Sequence, residues 1–308
     1  MYKPRYTFWN EKRFPQFIET LDNIYTKSVD NYISSHDTIV GSDIDFFKTF
    51  INDLEYFYAS IISNGIVTEK NYKNVLEQLK SIDIVVIPFN NKVHGATLGY
   101  QISINPNIDE DYGLGKNGYM QLCVSHELGH IINNKWYGDA KELSKKIYNN
   151  PSNEELLNNL NINDYRYILF GFDLINEVVS EDTAERVVQR LVKNFKKVNK
   201  NKLIVYDELY KYALEFAKSL DYVSTNKNII DDEVMLRLIR RSFDEDFINN
   251  ISKEINNSDR DKQNKLITML VCMGKIKAYS YEVVGLNKNS EKDVDNYIDI
   301  FNNISRRK

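Results

Sequence analysis

Only 12 glycines and 5 prolines interrupt a chain of 308 residues. These two residues end or kink helices, so their scarcity favours long helical segments. The apolar spacing agrees. Residues 11–81 read as three helices, with Ile44, Phe47, Phe50, Ile51, Leu54, Phe57 and Ile61 on one face of the second and Asn64-Gly65 closing it. The pattern changes at Asp83-Ile84-Val85-Val86-Ile87-Pro88, a short apolar run ending in proline that predicts a buried strand. Residues 93–99 and 101–105 are two further β candidates, with turns near Asn90-Asn91 and Gly95-Ala96.

Beyond a glycine-rich loop at 112–118, the spacing predicts a helix over 119–134, short helices at 138–149 and 153–160 around Pro151, and a long helix over 172–194. A linker follows at 196–202, then helices at 206–220, 231–255, 262–278 and 290–304. The expected fold class is mainly α with a small β-sheet (α+β). A catalytic core at 82–195 is expected between an N-terminal helical layer, 1–81, and a C-terminal helical domain, 196–308.

Composition narrows the partners. A formal net charge of -4 gives no reason to expect nucleic acid. The start, Met1-Tyr2-Lys3-Pro4-Arg5, lacks the apolar core of a signal peptide, and no run approaches membrane-spanning length. The expectation is a cytoplasmic protein with no membrane partner, with export by a route lacking a cleaved signal left open. Cys123 and Cys272 fit no zinc or redox spacing, and Cys123 is expected to be a buried thiol.

The chemistry is concentrated at His126-Glu127-Leu128-Gly129-His130. Residues four apart project from one helix face, so His126 and His130 can offer two imidazole nitrogens to one tetrahedral zinc. Glu127 points beside the metal, where it can act as general base on a metal-activated water. Gly129 leaves the helix surface bare for close approach of another element. Both histidines sit within the apolar run Leu122, Cys123, Val124, Leu128, Ile131 and Ile132, which a merely solvated helix face would not require.

No histidine follows His130, so a downstream ligand must be a carboxylate. On and just before the helix near 172–194, Phe170, Leu174, Val178, Ala184, Val188 and Leu191 form an apolar stripe that contains Glu177 and Glu181, while Asp182 and Arg186 lie opposite. Two carboxylates on a buried face are costly unless something positive meets them. A metal would do so, with Glu177 as ligand and Glu181 accepting a hydrogen bond from a ligating histidine. An Arg or Lys from another helix would also do so.

Together, His126-Glu127-Leu128-Gly129-His130 and Asn176-Glu177-Val178-Val179-Ser180-Glu181-Asp182 resemble the paired signature of gluzincin metallopeptidases. The separation, 177 − 130 = 47, is similar to that of the lethal-factor and Pro-Pro endopeptidase group. The resemblance implies a zinc-dependent endopeptidase of zincin-like core with one Zn2+ per chain and a peptide or protein substrate. It departs from that group at Phe170, where those enzymes carry a catalytic tyrosine; Tyr165 and Tyr167 are the nearest substitutes. A second register, with Glu181 as ligand and Glu185 in support, is similar to ImmA/IrrE-type regulatory peptidases. It suits the alternative of a zinc-binding regulatory or interaction protein with restricted or no turnover. The resemblance also implies an exposed sheet edge near 93–105 that pairs with an extended substrate. His94 is expected to be a turn residue there, and His36 a solvated residue at a helix end.

Overall fold

The computed structural model describes residues 16–86, 94–105, 114–191, 207–224, 229–280 and 291–306. Helix dominates them, and the strands form one small three-stranded sheet, as the scarcity of breakers predicts. The first three helices are α1 (Gln16–Ser35), α2 (Gly41–Ser63) and α3 (Tyr72–Lys80). The apolar face predicted for α2 is buried from Phe47 to Ile61; Ile44, in its first turn, is only half-buried. Phe17 of α1 packs on Tyr58 of α2 with ring centroids 4.7 Å apart. The predicted linker at 196–202 lies outside the described residues, as do 11–15, 87–93 and 112–113.

Strands β1 (Asp83–Ile84), β2 (Gly95–Leu98) and β3 (Gln101–Ile104) assemble in the order β1-β3-β2. β1 runs parallel to β3, with Ile84 opposite Ile102. β2 runs antiparallel, with Gly95 opposite Ile104 and Thr97 opposite Ile102. Asn105 N donates to His94 O at 2.8 Å, which makes 94/105 a hydrogen-bonded pair. Because such pairs alternate, Ala96 and Leu98 bond inward to β3, while the main-chain groups of Gly95 and Thr97 face the outer edge.

The largest departure from the sequence reading is α4 (Gly115–Tyr148), one unbroken helix of 34 residues. It begins within the expected glycine-rich loop and absorbs the separate helix expected at 138–149. A single interior glycine costs only about 1 kcal/mol. That cost is small beside the buried face of Trp136, Ala140, Leu143 and Ile147, which continues at helical spacing through Gly138. A short 3₁₀ turn at Pro151–Asn153 leads into α5 (Glu154–Asn159), and then α6 (Arg166–Leu191) starts earlier than expected.

The remaining helices are α7 (Asp207–Ser219), α8 (Asp231–Ser242), α9 (Phe247–Asn257), α10 (Arg260–Ser280) and α11 (Glu291–Ser305). The expected helix at 231–255 is thus divided. Phe243 and Phe247 on either side of the break are both fully buried, and Asp244 within it accepts from Tyr222 Oη at 3.2 Å. Helices α6 and α10 cross in backbone contact. A Cβ at Gly171 would stand 2.2 Å from Leu270 O, and one at Gly274 would stand 1.6 Å from Tyr167 O, so only glycine fits at either position.

Contacts group the chain into two compact units, 1–134 with 180–205 and 135–179 with 206–308. These do not coincide with the expected stretches 1–81, 82–195 and 196–308, because α4 and α6 each contribute residues to both units. Among the described residues no helix is long and apolar enough to cross a membrane.

Candidate metal centre

Gly129 fixes how α4 meets α6. A Cβ there would lie 2.8 Å from Ser180 Cα and 2.7 Å from Ser180 Oγ, so the bare surface anticipated from the sequence is filled by the α6 backbone. This close approach sets the neighbouring side chains. Nδ1 of His126 donates to Glu181 Oε2 at 2.8 Å, and Nδ1 of His130 lies 3.4 Å from Ser180 Oγ. A carboxylate at Nδ1 favours the tautomer that carries its proton there and turns Nε2 to the other side of the ring. That atom stands 3.0 Å from Nε2 of His130.

Two imidazole nitrogens bound tetrahedrally to zinc would be separated by about 3.3 Å, from bond lengths of about 2.0–2.1 Å. The observed spacing is close to that. One nitrogen from each histidine and one oxygen of Glu177 all lie within 4.8 Å of one another. Two nitrogens and one carboxylate oxygen, all half-buried, form a donor set that could hold a metal ion and leave a fourth position open.

Glu177 also has a protein cation. Lys277 of α10 places Nζ 3.0 Å from Glu177 Oε1 and 2.6 Å from Asp173 Oδ2. Burial works to lower the Lys277 pKa, but the charges of Glu177 and Asp173 and its hydrogen bonds to both outweigh that and hold it above the ordinary value. The positive partner from another helix, weighed from sequence against a metal, is therefore present. It engages Oε1 of the Glu177 carboxylate. The Gly171–Gly274 crossing explains its delivery, since Lys277 follows Gly274 by less than one turn of α10.

Glu127 is held from the sheet side. Thr97 Oγ1 donates to Glu127 Oε2 at 2.5 Å. Cys123, expected to be buried, is half-buried and lies beside this cluster. Its thiol is pushed up to about 12, by burial first and then by the charges of Glu127 and Glu181, so it stays protonated.

The other singled-out residues fall as follows. His94 stands just before β2 and hydrogen-bonds through Nδ1 to Tyr119 Oη. His36 is exposed at the end of α1 and stacks on Tyr32. Tyr167 is buried with the Lys275 ammonium 3.6 Å from its ring centroid, and Tyr165 lies under Lys145 at 5.4 Å. Both are engaged in packing with lysines. The stripe expected on α6 is not distinct, since Leu169, Phe172, Ile175, Val179 and Val187 are buried too. Asp182 and Arg186, expected on the opposite face, form an i,i+4 ion pair at 3.1 Å. Sequence reasoning missed Thr97, Asp173 and Lys277. A cation at helical spacing after an isolated glycine in α10 was the only signal for Lys277.

No protein-family model, no curated protein and no solved structure matches this chain.

Proposed function

We propose that the chain is a zinc-dependent endopeptidase. The observation that carries this reading is the convergence of His126, His130 and Glu177 on one point, with Glu127 beside it on the same helix. Zinc held there would lower the pKa of a water to about 7 and polarise a peptide carbonyl. The protein's own groups divide the remaining work. Glu127 accepts the proton of the attacking water and passes it to the leaving amine. Glu181 fixes the ring orientation and tautomer of His126. The outward main-chain groups of Gly95 and Thr97 suit pairing with an extended peptide, which would enter as a further strand beside β2.

A second reading draws on Lys277. It engages the same carboxylate that a metal would use, which suits a zinc-binding regulatory or interaction protein with restricted or no turnover. A peptide library incubated with zinc-loaded wild type and with Glu127→Gln, followed by mass spectrometry, separates the two. Cleavage by wild type alone supports the peptidase. Equal cleavage by both, or none by either, removes it.

A further inference from the structure

We infer that the inner face of β2 is a seat for the general base, with Thr97 as a positioning residue for the Glu127 carboxylate and Gly95 as the space that carboxylate occupies. The kinetic half of this inference rests on the peptidase reading; the structural half rests on geometry alone.

The Thr97 hydroxyl has one proton to donate. Its distance to Glu127 Oε2 is 2.5 Å, while its distance to the main-chain oxygen of Glu127 is 3.5 Å, too long to compete. The proton therefore goes to the carboxylate. Two residues earlier in β2, on the same face, Gly95 lies against the same side chain. A Cβ at 95 would stand 3.0 Å from Glu127 Oε1, 3.1 Å from Glu127 Cγ and 2.9 Å from Ile104 Cδ1. One oxygen of Glu127 is thus bonded by Thr97 and the other fits over the bare backbone of Gly95. Together these contacts select one rotamer for a side chain that is otherwise free at three torsions.

The placement has a second consequence. The main-chain groups of Gly95 and Thr97 face the outer edge of the sheet, while their Cβ positions face Glu127. The segment offered to an extended peptide is therefore also the segment that fixes the base. Registration of substrate and registration of the proton acceptor share one strand, so neither moves without the other.

The test uses zinc-loaded full-length wild type, Thr97→Val and Thr97→Ser, each examined by crystallography, zinc content and peptide hydrolysis. Valine keeps the branched shape and the outward N–H but cannot donate; serine keeps the hydroxyl. In wild type and Thr97→Ser, Glu127 Oε2 should sit within hydrogen-bond distance of residue 97. In Thr97→Val the carboxylate should turn away while zinc content stays at the wild-type value. The expected kinetic effect is a fall in kcat of about 10- to 100-fold for valine, the order that a misplacement of about 1 Å produces. KM should change little, and serine should restore kcat to within a few-fold of wild type. An unmoved Glu127 in Thr97→Val, or an unchanged kcat, overturns the inference. Should wild type hydrolyse no peptide, the peptidase reading falls and the crystallographic comparison still decides the seat. Should valine prevent folding, Gly95→Ala gives the second arm. It keeps the hydroxyl but must displace the carboxylate, and a Glu127 left in place there also overturns the inference.

Discussion

The ammonium of Lys277 lies 3.0 Å from Oε1 of Glu177, a carboxylate with one oxygen within 4.8 Å of a ring nitrogen each of His126 and His130. One side chain thus faces both a protein cation and a place where a metal would bring two further charges. The pair decides how the metal-free protein tolerates a buried carboxylate, and it gives the first prediction. Lys277→Met removes the cation that Glu177 and Asp173 share. The loss of stability should be on the order of 3 kcal/mol, the low end for a buried pair, because Asp173 is a quarter exposed. Saturating zinc should shrink the deficit, since the ion neutralises Glu177 in place of the lysine. Thermal unfolding with EDTA and with zinc makes the comparison. An equal deficit in both conditions would mean that no cation binds near Glu177.

Zinc content tests the histidines directly. Purified protein should hold about one zinc per chain, since two imidazoles and one carboxylate leave a position for water. His126→Ala and His130→Ala should each release it, because each removes a nitrogen that reaches the shared point. Elemental analysis showing full zinc in both variants would remove the site.

The two glutamates of α6 should differ in weight. Glu177→Ala should weaken zinc binding more than Glu181→Ala, because Glu177 reaches the donor cluster and Glu181 acts through His126 Nδ1. Loss of the outer partner should cost about 10–100-fold in affinity. Competition with a chromophoric chelator ranks them. The reverse order would transfer the ligand role to Glu181.

Substrate registration can be probed from the peptide side. The alternation of the ladder restricts outward main-chain groups of β2 to Gly95 and Thr97, so a peptide paired there should lose binding when N-methylated at alternate residues. KM rising with a period of two is the expected pattern, and a uniform response would place the peptide elsewhere. Proline at Ala96 would not be a clean probe, because the N–H of Ala96 belongs to the inner ladder with Ser103.

A pH effect follows from Asp53 on α2. Burial pushes its carboxyl up to about 7 from 3.8. Its folded pKa lies above its unfolded one, so between about pH 4 and 7 the folded state binds more protons and stability falls as pH rises through that window. Asp53→Asn should therefore raise Tm relative to wild type at pH 8 and have little effect at pH 4. An equal shift at both values would mean that ionisation of Asp53 is not the cause.

The parts of the fold legible in the sequence are those written in local spacing. The face of α2, the helical motif and the β candidates at 93–105 follow from periods of 3.6 and 2, which depend on no distant residue. The continuity of α4 was hidden because Gly138 looks like punctuation, and only the buried face from Trp136 to Ile147 shows that packing overrides it. At the site, Gly129 was readable as a place of close approach, and its neighbour proved to be Ser180. Glu177 and Glu181 stood out as carboxylates among apolar residues. Thr97 and Lys277 did not, because a threonine in a strand and a lysine in a helix are ordinary until the fold sets them beside an acid. Their partners lie 30 and 100 residues away, beyond the reach of any periodicity.

That last separation also orders events in time. During synthesis from the N-terminus, His126, His130, Glu177 and Glu181 all emerge before Lys277, which trails Glu177 by 100 residues. At translation speeds of about 5–20 residues per second, the interval is roughly 5–20 s. Through it the nascent chain holds the histidines and both glutamates without the lysine that later neutralises one of them. Any dissolved metal ion that binds these side chains would therefore have a head start on Lys277, and its binding would precede completion of the chain.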